Sequence, residues 1–336
     1  MTNEYLLTIA VPTYNGSKTI RNMLDILLPQ ITNEVEILIS DNCSTDETSR
    51  IISGYCEKYP YIKSIRNKEN LGADKNFLQC MLKASGKYVM LISDDDIIVE
   101  GAVGKIIDFL KNNPNISLAY LESVAFKDNY EGLEKCHGYK YLKEIKESNV
   151  TQNKREFFNN CKRLFGFTSS FVWSTKRIHE INNPEKYFGT YFLQAYICLC
   201  CSNKENDELG LIHGPCIAIG EYGIIGNYDV ALVEGIYYEK MMNQAIAWGY
   251  PSKEFNEWYE WKLCTLCRNA IIKERAIGVK KTNSQNVLKA SAKHPKTWLM
   301  LYPLLLLPKW FCRIALSAVR KRQGRTFTSY VNRPTS

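Results

Sequence analysis

The chain has 336 residues, of which 45% are hydrophobic and 23% are charged. This composition excludes a disordered chain and allows one large folded domain or two smaller ones. The net charge is +8, and it lies in the C-terminal segment: no Asp or Glu follows Glu274, whereas thirteen Lys or Arg residues do. The residues up to Glu274 are acidic on balance, so the tail differs in charge from the rest of the chain.

Strand and helix signals alternate through the first third of the chain. Short apolar runs predict two buried strands, at residues 6–11 and 35–39, followed by a third, weaker strand at 62–66 and a fourth at 88–92. Helical spacing of apolar residues predicts three helices, at residues 19–28, 46–59 and 74–84, with Ser17 as the N-cap of the first. This alternation predicts an α/β fold with a mostly parallel sheet that carries helices on both faces.

Polar residues follow each of these predicted strands at its carboxyl end. The carboxyl ends of parallel strands meet at one edge of a sheet, where ligands bind. Four clusters recur there: Thr13-Tyr14-Asn15-Gly16, Ser40-Asp41-Asn42, Asn70-Leu71-Gly72 and Asp94-Asp95-Asp96. Their regular recurrence predicts the rim of a single site.

The three consecutive aspartates, Asp94, Asp95 and Asp96, suit a divalent cation. Mg²⁺ and Mn²⁺ prefer carboxylate oxygens, usually taking one or two from protein and others from substrate phosphates. A cation held there could neutralise charge on a departing diphosphate. An acidic turn that caps the next helix is the simpler alternative. Asp41 lies in line with these residues and could accept hydrogen bonds from a nucleobase or a ribose.

The order and spacing of these motifs resemble those of the family 2 glycosyltransferases, which have the GT-A fold. The resemblance covers roughly residues 6–110. It rests on Val11-Pro12-Thr13-Tyr14-Asn15, Ser40-Asp41-Asn42 with Ser44 and Asp46, Asn70-Leu71-Gly72, and Ser93-Asp94-Asp95-Asp96. Residues 167–172 and 187–190 are similar to the O-antigen branch, particularly abequosyltransferase-like enzymes. The resemblance implies a Rossmann-like GT-A domain.

The resemblance also implies a role for each motif residue. A nucleotide-sugar donor would be bound by Pro12, Thr13, Tyr14, Asn15, Asp41, Asn70, Gly72, Asp74, Asn76 and Asp94. Asp95 would be catalytic and would bind the Mn²⁺ or Mg²⁺ that bridges the diphosphate, and Asp96 would support it as a second catalytic residue. The reaction would be inverting: an acceptor hydroxyl attacks the anomeric carbon as the nucleoside diphosphate leaves, through an oxocarbenium-like transition state.

Such a reaction needs a general base for the proton of the acceptor hydroxyl. Many members of the family carry this base in a Glu-Asp pair, but residues 187–196 contain no carboxylate. Glu185, Asp207 and Glu221 are the nearest acids, and a solvated loop position explains each of them more simply. The base therefore stays unassigned. His213 favours a hydrogen-bonded structural role, with a place near the diphosphate or the acceptor as the alternative.

The pattern loosens after residue 115. Strands are predicted at residues 168–174 and 211–220, and helices at residues 236–248 and 254–275. We expect a catalytic domain over residues 1–230, with a nucleotide-sugar-binding half at 1–115 and an acceptor half at 116–230, followed by a helical region at 231–336. Cys264 and Cys267 form a lone CxxC, for which buried free thiols are favoured over structural zinc.

The C-terminal tail mixes aromatic, aliphatic and basic residues, among them Trp298, Trp310 and Lys309. This mixture favours an amphipathic anchor at the headgroup boundary of a bilayer over a packed helical hairpin without membrane contact. A true span is a third alternative, although Pro303 and Pro308 interrupt the apolar run. Because the N-terminus lacks a secretion signal, the expected location is the cytoplasmic face of the bacterial inner membrane, as a peripheral protein. Nucleic acid is not an expected partner, since the basic residues alternate with aliphatic runs.

The predicted function is transfer of a single sugar to a polyprenyl-diphosphate-linked glycan acceptor during O-antigen or capsule assembly. Processive synthesis is less favoured because Gln152-Asn-Lys-Arg155 is followed by Glu156, where a processive enzyme would have Trp. Two alternatives stay open. A sugar nucleotidyltransferase would need a Gly-rich loop after the first strand, where this chain has only Gly16. A non-catalytic, membrane-associated scaffold of the same fold would explain the missing base.

Overall fold

The computed structural model describes residues 5–126, 145–161, 165–220, 228–278, 282–292 and 294–322. The chain divides into two compact units. The first comprises Met1–Tyr222 and Ala247–Pro251, and the second comprises Gly223–Ile246 and Ser252–Ser336.

The first unit is built on one sheet, to which the described residues contribute nine strands. The strands are β1 Tyr5–Thr13, β2 Val35–Asp41, β3 Ile62–Arg66, β4 Gly86–Leu91, β5 Ile97–Ile98, β6 Ile116–Phe126, β7 Asn149–Thr151, β8 Phe171–Ser174 and β9 Glu208–Gly220. Their order is β3-β2-β1-β4-β8-β6-β9-β5, and β7 also pairs with β9. Strands β1 to β4 run parallel to one another, and β6 runs parallel to β9, whereas β8, β5 and β7 are antiparallel to the strands they pair with.

In the described part of the first unit, seven α-helices connect these strands. They are α1 Ile20–Leu27, α2 Thr48–Lys58, α3 Ala73–Lys83, α4 Ala102–Asn112, α5 Lys154–Cys161, α6 Thr175–His179 and α7 Leu193–Cys201. Short 3₁₀ turns occupy Leu28–Gln30, Thr168–Ser170 and Pro184–Tyr187.

The core of this unit follows from the apolar pattern of the sequence. Every residue of β2 is buried, and so are seven of the nine residues of β1, because both strands lie inside the sheet and are covered on both faces. Helix α1 buries Ile20, Met23, Leu24 and Leu27, whose spacing of three and four residues forms one apolar stripe. Aromatic rings of α5 and β8 continue the core, with the Phe157 and Phe171 rings 6.5 Å apart.

The second unit is helical. Its elements are a π-helical turn Ala231–Tyr237, α8 Tyr238–Ala247, α9 Ser252–Lys262, a second π-helical turn Leu263–Cys267, α10 Arg268–Ile277, α11 Ser284–Ser291, α12 Pro295–Leu306 and α13 Lys309–Arg322. Among the described residues, no single helix combines the length and apolarity needed to cross a bilayer. Residues Pro295–Leu306 and Lys309–Ala318 satisfy that test of length and composition only as a pair, which bends by 116°.

The predicted α/β fold is confirmed, and each of the first four strands and three helices lies within two residues of its expected bounds. Ser17 was expected to cap α1, and that expectation is wrong. Helix α1 begins at Ile20, and the backbone N–H of Ser17 instead donates to Asp46 Oδ2 at 3.2 Å. The predicted strand at 168–174 is shorter than expected, because Thr168–Ser170 forms a 3₁₀ turn before β8.

Candidate active site

The four predicted polar clusters lie at the carboxyl ends of four adjacent strands. Strands β3, β2, β1 and β4 are neighbours in that order and all run parallel. Thr13 is paired directly with Asp41 across β1 and β2, and Asp94 follows β4 on the other side of β1. The topology therefore brings the clusters to one edge of the sheet, as their positions in the sequence predict.

The loop after β1 contacts the acidic residues after β4. The Thr13 hydroxyl donates a hydrogen bond to Asp94 Oδ2. Gly16 lies so close to this pair that a Cβ added to it would collide with the Asp94 carboxylate and lie 2.6 Å from Thr13 Oγ1. A glycine at position 16 is therefore required for the two loops to approach each other.

Asp94 and Asp95 form the acidic centre of this edge, and both are partly buried. Burial raises the pKa of Asp94 to about 6, and the nearby carboxylates of Asp95 and Asp46 add to the rise. The hydrogen bond from Thr13 lowers this pKa but does not cancel the effect of burial. Burial also raises the pKa of Asp95. Both carboxyls are thus costly to ionise in the protein alone. A divalent cation would offset that cost, so the two side chains fit a metal that bridges a diphosphate.

The metal would receive few ligands from the protein itself. Within the described ranges, no group of three or more His, Cys, Asp or Glu side chains is placed to hold a cation. Mg²⁺ and Mn²⁺ sites that serve nucleotides commonly use one or two carboxylates together with phosphate oxygens. Asp94 and Asp95 are consistent with a site of that kind.

Asp41 occupies the end of β2, where it is 2% exposed. Its Oδ1 accepts a hydrogen bond of 2.8 Å from the Ser44 backbone N–H. Its Oδ2 is buried, receives no hydrogen bond from the described residues and lies 3.4 Å from Arg66 Nη1. A buried carboxylate oxygen with spare acceptor capacity is suited to a donor group on a ligand, such as a nucleobase N–H.

An amide cluster of Asn42, Asn67, Asn70, Asn76 and Gln79 connects the ends of β2 and β3. Asn42 Nδ2 donates to Asn70 Oδ1 at 2.8 Å, and Asn67 Nδ2 donates to Asn42 Oδ1 at 3.0 Å. Asn70 Oδ1 also accepts a hydrogen bond of 2.9 Å from the backbone N–H of Gly72. Asn76 is buried and bonds to both the hydroxyl and the carbonyl of Ser40. Asn76 therefore holds the end of β2 in place through Ser40.

Tyr14 and Asn15 form the tip of the loop after β1, and both side chains are exposed. Asn15 adopts a left-handed backbone conformation with φ of 55°. Its Oδ1 accepts from the Thr45 backbone N–H at 2.8 Å, and its own N–H donates to Ser44 Oγ at 2.9 Å. These bonds tie the first cluster to the second. Pro12 is buried in β1 opposite Ser40, where it supports the loop.

Asp74, in the first turn of α3, is linked to a distant part of the chain. Its Oδ2 accepts a hydrogen bond of 2.7 Å from the Gly189 backbone N–H. Burial raises the pKa of Asp74 despite that bond. Gly189 and Tyr191 both have positive φ, and the Tyr191 side chain is 54% exposed. Asp74 therefore holds the segment before α7 against the rim of the predicted donor site.

Asp96 differs from its two acidic neighbours because it is 2% exposed. Its Oδ2 accepts a hydrogen bond of 2.5 Å from Ser169 Oγ, and the same hydroxyl oxygen accepts from the Ser93 backbone N–H at 3.0 Å. Asp96 thus fixes the 3₁₀ turn before β8 to the turn after β4. The capping alternative does not apply, since Asp96 precedes the two-residue strand β5 instead of a helix.

The three acids considered as the general base lie in different places. Glu185 is exposed in the 3₁₀ turn Pro184–Tyr187. Asp207 immediately precedes β9 and pairs with Arg177 at 3.1 Å, at the edge of the sheet opposite Asp94. Its ion pair and position favour a structural role. Glu221 lies outside the described residues.

A fourth carboxylate, Glu122, escapes sequence reasoning because its partner lies on another strand. His213 Nδ1 is 3.3 Å from Glu122 Oε2, which also accepts from the Gly214 N–H at 2.9 Å. His213 Nδ1 contacts the Ile145 carbonyl as well. Two acceptors around Nδ1 favour the ring tautomer that carries its hydrogen on that nitrogen. The pair lies at a register shift between β6 and β9, near the middle of both strands.

The family of the chain follows from comparison with known proteins. Residues 8–179, just over half of the chain, match the model of the family described as glycosyl transferase family 2. The chain belongs to glycosyl transferase family 2. It is a glycosyltransferase.

Similar sequences come from several bacteria. The chain is 26% identical to abequosyltransferase RfbV of Salmonella typhimurium over 221 residues, which cover 63% of this chain and 66% of that protein. It is 32% identical to an uncharacterised protein of Mycobacterium tuberculosis over 117 residues, 34% of each chain. The chain therefore spans less than two thirds of the length of these relatives.

Solved structures show the same fold as this family 2 chain. S. aureus TarS 1–349 in complex with UDP-GlcNAc has a TM-score of 0.60 at 16% identity, over 96% of this chain and 93% of that one. The mannosyltransferase PcManGT from Pyrobaculum calidifontis, in complex with GDP-Man and Mn²⁺, has a TM-score of 0.50 at 15% identity, over 91% and 86%. The predicted GT-A fold is confirmed.

Proposed function

We propose that this glycosyltransferase moves a single sugar from a nucleoside-diphosphate donor to a polyprenyl-diphosphate-linked glycan, with inversion at the anomeric carbon. The pathway would be assembly of a surface polysaccharide, either O-antigen or capsule. The enzyme would work as a peripheral protein on the cytoplasmic face of the bacterial inner membrane.

The observation that carries this proposal is the contact between Thr13 and Asp94 across the ends of β1 and β4. The acidic pair Asp94 and Asp95 follows β4, beside the loop after β1 that would bind the nucleotide, and Asp41 lies on the next strand. Hydrogen-bond acceptors for a nucleoside and carboxylates for a cation therefore share one edge of the sheet.

The residues at this edge would have two roles: some would bind the nucleoside, and others would bind the cation. Asp41 Oδ2 would accept a hydrogen bond from the nucleoside, and exposed Tyr14 would lie against it. Asp94 and Asp95 would hold Mn²⁺ or Mg²⁺, which supplies positive charge to the diphosphate oxygens when bound. Asp96 would keep the turn that carries both carboxylates in place through Ser169.

The transfer step follows from the atoms that must change partners. An acceptor hydroxyl oxygen bonds to the anomeric carbon while the bond from that carbon to the diphosphate oxygen breaks. The hydroxyl proton passes to a general base, and the electron pair leaves with the nucleoside diphosphate. Half-exposed His213, whose Nδ1 lies 3.3 Å from Glu122 Oε2, is a candidate for this base.

Two observations support a lipid-linked acceptor. The similarity to RfbV, whose name denotes an abequosyltransferase, favours a bacterial surface glycan over a small soluble acceptor. The basic and apolar C-terminal helices would also hold the enzyme near a membrane in which a polyprenyl diphosphate is embedded.

A thermal-shift experiment with UDP, GDP, CDP and dTDP, each with and without Mn²⁺, tests the donor site. We expect one nucleotide to raise the melting temperature in a Mn²⁺-dependent way, because a ligand that binds the folded state stabilises it. The corresponding nucleotide sugar should then be consumed in the presence of a lipid-linked acceptor. Asp95→Ala should fold normally but lose both the Mn²⁺-dependent shift and transfer. Full activity of that variant would refute the metal role, and binding without turnover would favour the scaffold alternative.

A further inference from the structure

The C-terminal helices α12 and α13 expose most of the large apolar side chains that are solvent-accessible in the described parts of the chain. Leu299 and Leu306 of α12 are 66% and 69% exposed, and Trp310 and Ile314 of α13 are 62% and 60% exposed. Scattered single residues of this kind are ordinary, but a concentration within two adjacent helices marks an interaction surface. We call the exposed side chains of Trp298, Leu299, Tyr302, Leu306, Trp310 and Ile314 the apolar surface.

The opposite sides of the same helices are packed against the rest of the helical unit. Thr297, Leu301 and Cys312 are buried, and α12 and α13 contact α10. Arg275 Nε donates to the Leu307 carbonyl at 2.9 Å, and Arg313 Nε donates to the Ala276 carbonyl at 3.0 Å. These bonds fix the two helices on either side of their 116° bend. The helices that carry the apolar surface are therefore held in place by contacts within the helical unit.

Positive charge surrounds the apolar surface. Lys296, Lys309 and Arg313 are exposed beside it, and no acidic residue follows Glu274 in the sequence. Trp298 and Tyr302 stack with ring centroids 5.1 Å apart, and both rings are more than a third exposed. Aromatic rings next to basic residues are typical of groups that lie at headgroup depth in a bilayer.

These features distinguish an anionic lipid surface from a second copy of the chain. Pairing of two such surfaces would bring like charges together, which opposes association. Anionic headgroups instead complement the lysines, while the acyl boundary accepts the leucine and tryptophan side chains.

From this arrangement we infer that the apolar surface of α12 and α13 inserts into the headgroup region of an anionic bilayer. This inference deepens the proposed function by naming the residues that contact the membrane. It also commits to the lipid as the partner of this surface.

Flotation of the full-length protein with two kinds of vesicle tests the inference. One kind contains phosphatidylcholine mixed with phosphatidylglycerol, and the other contains phosphatidylcholine alone. We expect strong binding to the first and weaker binding to the second. The double variant Leu299→Asp and Leu306→Asp should bind the anionic vesicles at least about tenfold more weakly, since two apolar side chains lose their burial in lipid.

Leu82→Asp is the matched control, because Leu82 of α3 is 40% exposed but lies far from α12 and α13 in the sequence. This variant should bind vesicles like the original protein. Unchanged binding of the double variant, or equal binding to both vesicle types, would overturn the inference. So would a dimer in vesicle-free solution that the double variant abolishes.

The same samples separate this inference from the donor-site proposal. The double variant should keep the melting temperature and the nucleotide-dependent thermal shift of the original protein, because the substituted leucines are exposed. Loss of vesicle binding with an intact thermal shift supports the membrane surface alone. A missing thermal shift in the original protein would count against the donor site and leave the vesicle result unaffected.

Discussion

The Thr13 hydroxyl, at the end of β1, donates to the Asp94 carboxylate in the turn after β4. The two residues are 81 positions apart in the sequence. Their contact joins the loop proposed to bind the nucleotide to the carboxylates proposed to bind the cation, so the two halves of the proposed donor site depend on each other.

Thr13→Val removes the hydroxyl with little change in volume. We expect catalytic efficiency with the donor to fall by about tenfold or more, because a hydrogen bond to a charged group contributes about 1.5–3 kcal/mol. Steady-state kinetics at varied donor and Mn²⁺ concentrations measures this. Thr13→Ser keeps the hydroxyl and should retain most of the activity. Equal losses in both variants would show that the methyl group, and not the hydrogen bond, is important.

Asp74→Ala removes the acceptor of the Gly189 N–H. We expect a looser segment before α7 and a KM for donor or acceptor raised by about fivefold to tenfold, since a broken hydrogen bond of this kind costs about 1 kcal/mol or more. Asp74→Asn retains an oxygen acceptor and should preserve the original KM. If the asparagine variant fails as badly as the alanine variant, the carboxylate contacts the substrate directly.

His213→Gln and Glu122→Gln test the pair at the β6–β9 register shift. If His213 takes the acceptor proton, each substitution lowers kcat by roughly a hundredfold or more while donor binding stays intact. The double variant should be no worse than the poorer single variant, because paired residues act as a unit. Thermal melts of the three proteins provide the control: a large loss of stability with unchanged kcat would assign the pair a structural role.

Glu36 provides a pH-dependent prediction away from the site. It is 1% exposed on β2 and accepts bonds from Thr8 Oγ1 and Ser85 N–H, both at 2.6 Å. Burial opposes its ionisation, but these bonds and Lys63 outweigh burial and lower its pKa below the ordinary 4.5. Its contribution to folding is therefore present above about pH 4.5 and is lost as the pH falls towards the folded pKa.

Glu36→Gln should lower the free energy of unfolding at neutral pH by about 1–3 kcal/mol, with a smaller difference in acid. Urea denaturation at several pH values measures this. Glu34→Gln is the matched control, because Glu34 is more exposed and forms a surface ion pair with Lys111. A constant difference between the Glu36 variant and the original protein across pH would contradict the prediction.

The parallel half of the fold could be predicted because each of its strands is a short apolar run that ends in a polar cluster. Every residue of Val35–Asp41 is buried, and its apolar residues 37–39 indicate the strand although Glu36 precedes them. Strand β6 was not predicted, because Glu122 and Ser123 interrupt its apolar residues where the register with β9 shifts. The interactions that make this segment a strand come from the strands it pairs with, so they leave no pattern in its own sequence.

Some features of the candidate site could likewise be predicted from the sequence, and others could not. Asp41, Asp94 and Asp95 could be placed at one edge from sequence, since strand topology alone determines which edge they share. The bond from Gly189 to Asp74 joins residues 115 positions apart, and the bond from Gly214 to Glu122 joins residues 92 positions apart. Contacts of this range depend on loop conformation, so no spacing in the sequence indicates them.

The amide cluster around Asn42 has a consequence for how the pocket responds to its surroundings. Its members carry no net charge and do not titrate, unlike the carboxylates beyond β4. This side of the rim should keep its shape across a wide range of acidity and ionic strength. Changes in those conditions would then act on the carboxylates beyond β4 while leaving the amide side of the rim unaffected.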